Sequence, residues 1–369
     1  MIKKETVAKA VELLSENEEY TRNEEFNSSL NDGEFGDYQV LFRTPEGEEQ
    51  PFGNIAKAIF SADKARYRQI VNRTSETARL QILRDDQFPQ NQQAFDRLVM
   101  ILRQRASIIP FIGAGFAVAA GCSSWSDYIV SQATKARMPE VTIRERLKNG
   151  EHETVMDEVI QTQTLHVFQR DFRSEFEGAG IAPALSPATE LIALFSGCMV
   201  TTNFDRILED CHQATEPFAE KVIGNENSGR FLRALYRGEK YLLKLHGNID
   251  EQQHRVLIKE EYDNNYGQDG IDFNLAIPQL LKKIFGNHTV LFLGCSLIAD
   301  RYLDVLQTVY EKGADYMPEH FAILAAPVDE DELPERDRFL ASHGISPIWF
   351  TEGDWDAPEE MLKQLKKEI

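Results

Sequence analysis

Short, wholly apolar runs alternate with stretches of helical periodicity from about residue 105 to the end of this chain, and that alternation constrains its fold more than any other feature. The apolar runs lie near 108–112, 198–201, 241–245, 289–293, 320–325 and 345–349, and helical patterns fall between them, for example over 280–285, 302–312 and 361–367. A strand with no polar alternation is buried on both faces, and the helices between successive strands supply the cover. The expected class is therefore α/β, a parallel sheet with helices on both faces. Right-handed crossovers bring the C-terminal ends of the strands to one edge, where open sheets of this kind take their ligands. Residues 126–196 are helical by pattern and are expected to form an inserted helical layer or lid. With 369 residues, 42% of them hydrophobic, the chain can bury such a core.

The first part of the chain reads differently, and a division near residue 94 is expected, with 1–94 a smaller N-terminal region. Residues 1–50 are acidic and broken by Asn31-Asp32-Gly33 and Pro45-Glu46-Gly47, with one candidate strand at 38–42. From 54 to 84 the pattern is helical and basic, carrying Lys57, Lys64, Arg66, Arg68, Arg73, Arg79 and Arg84 against Asp63 and Glu76. Such a helix is either a solvated face or, on an acidic protein, a docking surface for a partner or a second copy. The formal charge of −20 argues against generic binding to a nucleic-acid backbone. No apolar run approaches the roughly eighteen residues of a membrane span, and the first residues lack the apolar core of a secretory signal. Cys122, Cys198, Cys211 and Cys295 form no Cys-x-x-Cys pair and no disulfide framework, and read as small buried hydrophobes in a reducing compartment. The expectation is a soluble, cytoplasmic protein that touches no membrane.

Four of the apolar runs end in polar or glycine-rich turns. The first is Ile108-Ile109-Pro110-Phe111-Ile112-Gly113-Ala114-Gly115-Phe116, followed by small residues that can begin a helix. Strand, glycine turn and helix is the arrangement that offers unpaired N–H groups to a phosphate, although no glycine follows Gly115 at the spacing of the full dinucleotide fingerprint. The others are Thr202-Asn203-Phe204-Asp205 after 198–201, His246-Gly247-Asn248 after 241–245, and Gly294-Cys295-Ser296 after 289–293. In a parallel sheet all four turns meet at one rim.

In this order and spacing, Gly113-Ala114-Gly115, Thr202-Asn203-Phe204-Asp205, Leu245-His246-Gly247 and Gly294-Cys295-Ser296 resemble the motifs of the sirtuin (SIR2-type) fold over about residues 105–350. The resemblance implies a Rossmann-like NAD-binding catalytic domain over 95–369. It implies Gly113, Ala114 and Gly115 on the pyrophosphate, with Phe116, Trp125, Thr202 and Gly247 among the cofactor contacts. It also implies Asn203 and Asp205 on the nicotinamide ribose, His246 as catalytic base, and Gly294 and Ser296 on the adenosine side. Ala117 and Ser126 stand where protein deacylases of the family carry Ser and Arg, and Trp125 where they carry Phe. No cysteine lies between His246 and Gly294, where deacylases bind zinc, so no zinc is expected. The remaining histidines show no ligand spacing, so no metal is assigned. This pattern resembles the sirtuin-like proteins of bacterial antiphage defence that hydrolyse NAD+. It implies a regulated homo-oligomer, with a HerA-like ring ATPase as a possible partner.

The residue types suit that chemistry. Cleaving the bond between nicotinamide and ribose passes through an oxocarbenium-like centre, so a water must be placed and positive charge stabilised. His246 is the expected general base, and Asn203 offers both a carbonyl and an amide to water or ribose. Asp205 either fixes the ribose or caps the helix that follows it, Gly294 and Ser296 either contact ligand or form a turn and a cap, and Asp300 is read as a helix cap. The expected activity is NAD+ glycohydrolysis to ADP-ribose and nicotinamide. The alternatives are a non-catalytic NAD-binding or nucleotide-binding regulatory subunit and an ADP-ribosyl transferase.

Overall fold

The computed structural model describes residues 18–35, 38–45, 47–104, 107–163, 165–177, 181–182, 187–213, 221–223, 228–249 and 254–369. The chain divides into two compact units, Met1–Gln81 and Ile82–Ile369. Of the acidic segment expected over 1–50, residues 1–17, 36–37 and 46 lie outside the described residues.

In the first unit the helices Glu24–Asn31, Ile55–Ala62 and Lys64–Ile82 accompany an antiparallel hairpin of β1 (Leu41–Arg43) and β2 (Glu49–Pro51). The strand expected at 38–42 thus begins only at Leu41. Aromatic rings make the small core: Tyr67 stands edge-on to Phe60 and Phe26, at 5.0 and 5.7 Å between centroids. Its buried phenol donates to Asn27 Oδ1 at 2.7 Å. The basic pattern expected over 54–84 is two helices that part at Asp63, and the longer one, Lys64–Ile82, has Tyr67 and Ile70 on its buried side.

The second unit is built on a seven-stranded parallel sheet. Its strands are β3 (Ile108–Ile112), β4 (Cys198–Thr201), β5 (Lys221–Ile223), β6 (Tyr241–Lys244), β7 (Thr289–Leu293), β8 (His320–Ala325) and β9 (Ile345–Phe350). They lie side by side as β5-β6-β4-β3-β7-β8-β9, and every paired neighbour is parallel. Without the edge strand β5, the order is third, second, first, fourth, fifth, sixth, which is that of the dinucleotide-binding Rossmann fold. The chain reverses its direction of travel across the sheet between β3 and β7, and such a switch point opens a crevice at the strand ends. β5 is absent from the expected set because three residues at an edge leave no apolar run to read. Pro110, which has no N–H to donate, precedes the pairing of β3 with β4, which begins at Phe111.

Alternation along each strand divides the core into two layers. Ile109, Phe111, Val290 and Phe292 face the helices Ser228–Arg237, Ala276–Asn287 and Arg301–Gly313. Ile108, Ile112, Leu291 and Leu293 face Gln90–Arg103, Ala188–Leu194, Ile207–Gln213 and Ala357–Glu368. Each fully buried Leu, Ile or Phe stabilises by roughly 1.5–3 kcal/mol, so these layers hold the sheet. A third layer has its own core: Tyr128, Val155, Met156, Phe168 and Phe172, from helices within 125–176, close over Phe204, Ile249 and Leu257 from the strand-end loops. The inserted helical layer therefore sits at the rim of the sheet. Among the described residues no helix is long and apolar enough to cross a membrane.

At the start of β8, fully buried His320 accepts a hydrogen bond from Val290 N–H through Nδ1 at 3.2 Å, and burial pushes its pKa down to about 4. An unperturbed histidine titrates near pH 6.5. Between those values the unfolded chain binds a proton that the folded chain refuses, so this contribution is whole above pH 6.5 and is lost as pH falls toward 4. The loss is expected to reach about 3 kcal/mol. Urea midpoints measured near neutral pH and near pH 5 should differ less in His320→Asn, which keeps an acceptor but does not titrate, than in the parent.

Candidate functional site

A cavity of about 870 Å³ lies over the C-terminal ends of the strands. Its walls come from the loops after β3, β4, β6, β7, β8 and β9, so it follows the rim across the switch point. Gly113, Ala114, Gly115, Phe116, Trp125, Thr202, Asn203, Asp205, His246, Gly294 and Ser296 all line it. Gly247 does not. Its φ of 84° and the 2.6 Å between an added Cβ and the His254 carbonyl oxygen make it a turn glycine beneath the site.

The glycines after β3 and β7 serve each other. Gly113 N–H donates to Leu293 O at 2.9 Å, and Gly115 N–H donates to Gly294 O at 2.8 Å. A Cβ on Gly113 would stand 2.7 Å from Gly294 O, and one on Gly294, at φ 65°, 2.2 Å from Phe116 N. Only glycine allows the two turns to touch. The Gly113 and Gly115 amides are thereby committed within the protein, and the chain continues into a 3₁₀ helix, Ala114–Ala120, ended by Gly121 at φ 97°. Ser296 lines the cavity and caps no helix, because the next helix begins at Arg301.

Asn203 is 8% exposed and held from both sides. Its backbone N–H donates to Thr201 Oγ1 at 3.0 Å, and its Nδ2 donates to Gly113 O at 3.0 Å. Its Oδ1 is buried and meets no donor among the described residues. A buried acceptor left unsatisfied costs about 1–3 kcal/mol, so this oxygen suits a hydroxyl or water in the cavity. Asp205 takes the capping position and also faces the site. Its Oδ1 accepts from Ile207 N–H at 3.0 Å and caps the helix Ile207–Gln213, while the residue also lines the cavity. Burial raises its pKa and the nearby Lys244 opposes that rise.

Lys244 holds this loop and has no place in the sequence-based expectation. It is 1% exposed, pairs with Glu209 at 3.3 Å and donates to the carbonyls of Phe204 and Asp205. The legible signal was a lysine inside the apolar run Leu242-Leu243-Lys244-Leu245. His246 follows directly. It is 5% exposed, its Nε2 lies 2.8 Å from Tyr266 Oη, and the rings of Tyr262 and Tyr266 stand edge-on at 5.3 and 5.9 Å. Burial pushes its pKa down to about 3, which keeps the imidazole neutral and makes it a weaker proton acceptor than its residue type suggests. Asp300 departs from the cap reading. It makes no side-chain cap, accepts from Tyr302 Oη at 2.8 Å, lines the cavity, and is pushed by burial to about 6. Buried Cys122 and Cys198 are each pushed up to about 12, which leaves them inert thiols.

The cavity at the switch point is framed by the glycine contact between β3 and β7 and by the polar ends of β4 and β6. Residues 197–348 match the family model of the SIR2-like domain. SIR2-like domains use NAD+, which is consistent with an NAD-dependent enzyme. The SIR2-like segment carries Asn203, Asp205, His246, Gly294, Ser296 and Asp300; Gly113, Gly115 and Trp125 precede it. No curated protein matches the chain.

Proposed function

We propose that this protein is an NAD+ glycohydrolase, in which water replaces nicotinamide at the ribose carbon and yields ADP-ribose, nicotinamide and a proton. The observation that carries the reading is the Oδ1 of Asn203, unpartnered among the described residues, on a side chain that lines one cavity with the neutral imidazole of His246. Asn203 orients the attacking water or the ribose through that oxygen, while Gly113 O fixes its amide. His246 contacts the ribose. Asp300, pushed to about 6 in the same cavity, is the group whose affinity for a proton suits acceptance from water near neutral pH. Asp205 adds negative charge near a developing oxocarbenium centre. Gly113, Gly115 and Gly294 line the part of the cavity at the switch point that would take the pyrophosphate.

A role in antiphage defence by NAD+ depletion belongs to this proposal and rests on the sirtuin-like motif pattern. So does regulation through self-association or a ring ATPase, for which the helix Lys64–Ile82 offers a basic surface. The deciding experiment incubates the full-length chain with NAD+ and quantifies nicotinamide and ADP-ribose. Equal amounts of both, absent with Asn203→Ala, are expected. Saturable NAD+ binding without nicotinamide release would move the protein to the regulatory-subunit reading. Nicotinamide released while ADP-ribose stays bound to a macromolecule would indicate transfer.

A further inference from the structure

Tyr266 is the hydrogen-bond partner of His246. It ends the helix Lys259–Tyr266, is fully buried, and brings its phenol oxygen to 2.8 Å from His246 Nε2. Its backbone is pinned on both sides. Asp272 N–H donates to Tyr266 O at 2.7 Å, and Arg301 Nη1 donates to Gly267 O at 2.8 Å. The same Arg301 pairs with Asp263 on the tyrosine's helix at 2.6 Å and with Glu153 of the helical layer at 2.7 Å. A tyrosine held this firmly presents its hydroxyl at a set point.

The direction of the hydrogen bond follows from counting partners. Nε2 is the only acceptor within reach of the Tyr266 hydroxyl among the described residues. If Nε2 carried the proton, a buried O–H would have nothing to donate to. If the phenol donates, its buried O–H is satisfied, and the donor left over is the ring's other N–H, on a residue that lines the cavity. A neutral imidazole that accepts at Nε2 carries its proton on Nδ1, and His246 Nδ1 has no partner among the described residues.

We infer that Tyr266 is a positioning residue that donates to Nε2 and so fixes the proton of His246 on Nδ1, making the imidazole a hydrogen-bond donor to a ribose oxygen of the substrate rather than a base. The inference rests on the glycohydrolase reading for its substrate, but the tautomer itself is a property of the free protein. Burial agrees with this role, because a neutral ring that resists protonation is suited to donating and poorly suited to accepting a proton.

Ring nitrogen spectra of histidine-labelled full-length protein without NAD+ test the tautomer directly, with the His246 signals assigned by their loss in His246→Asn. Nδ1 should show a protonated, pyrrole-type signal and Nε2 a pyridine-type signal, and Tyr266→Phe should shift the pair toward the reverse pattern. A wild-type Nε2–H tautomer, or spectra unchanged in Tyr266→Phe, would overturn the inference whatever the activity. In turnover, Tyr266→Phe should lower kcat about 10- to 100-fold with KM changed less than about threefold, as expected when an orienting group is lost. His246→Asn places an amide N–H near the former Nδ1–H and cannot act as a base. It should retain at least about tenfold more activity than His246→Ala if the ring acts as a donor. Equal activity of the two variants counts against donation. If wild type shows no turnover, the glycohydrolase reading fails and the ring spectra still decide the tautomer.

Discussion

His246→Ala is expected to reduce nicotinamide release by at least about 100-fold while leaving the protein folded. Loss of a well-placed acid–base group, or of a donor aimed at developing charge, costs about 10²- to 10⁴-fold in rate, so the size of the effect does not depend on which role the ring plays. The fold should survive because the side chain sits in a loop after β6 and, among the described residues, makes one side-chain hydrogen bond, to Tyr266. The structural cost is a phenol O–H left without its acceptor, about 1–3 kcal/mol. Asn203→Ala should have a similar effect, and the double variant should be little worse than either single one, because both side chains act on one bound substrate. Nicotinamide assays on the three variants, with melting curves beside them, supply the check. Activity in His246→Ala within a few-fold of wild type would remove this cavity as the site of chemistry.

Most of the sheet was readable because its strands are apolar on both faces and so stand out as continuous runs. β3, β4, β7 and β8 lie where those runs are, while β6 and β9 differ from expectation by one residue at one end. Helical periodicity was equally visible where a helix buries one stripe, as in Arg301–Gly313 with Tyr302, Leu303, Val305 and Leu306 inside. β5 escaped because a short edge strand needs no apolar pattern of its own. The cavity-lining turns were legible one by one, since polar residues immediately after buried strands have few reasons to be there.

What joins those turns was not legible, because it depends on contacts distant in sequence. Tyr266 lies in a helix with no marked apolar pattern, and only the packing of that helix brings its hydroxyl to His246. Asp300 carried the sequence signature of a cap, yet the backbone enters the helix without it and the carboxyl turns to Tyr302. The glycines after β3 suggested amides for a phosphate, whereas their tightest constraint is Gly294 on the neighbouring strand. Motif spacing thus located the rim of the sheet, while the roles of residues along it were set by burial and by which partners remained for each polar atom.

Lys244→Met is expected to destabilise the second unit more than any other single change argued above, by about 3–5 kcal/mol, because it removes the cation beside buried Glu209. For a unit of this size that lowers the melting temperature by roughly 10 °C. The loop carrying Asn203 should also suffer, since Lys244 is the donor to the Phe204 and Asp205 carbonyls. The double variant Lys244→Met/Glu209→Leu separates the two effects. Replacing a buried ion pair by apolar side chains of similar volume is often nearly neutral, so stability should largely return. Nicotinamide release should stay low, because no apolar side chain can donate to the two carbonyls that set the position of Asn203 and Asp205. A single variant that melts within about 2 °C of wild type would mean that Glu209 is held by other groups, and a double variant with full activity would mean that the loop keeps its position without the lysine.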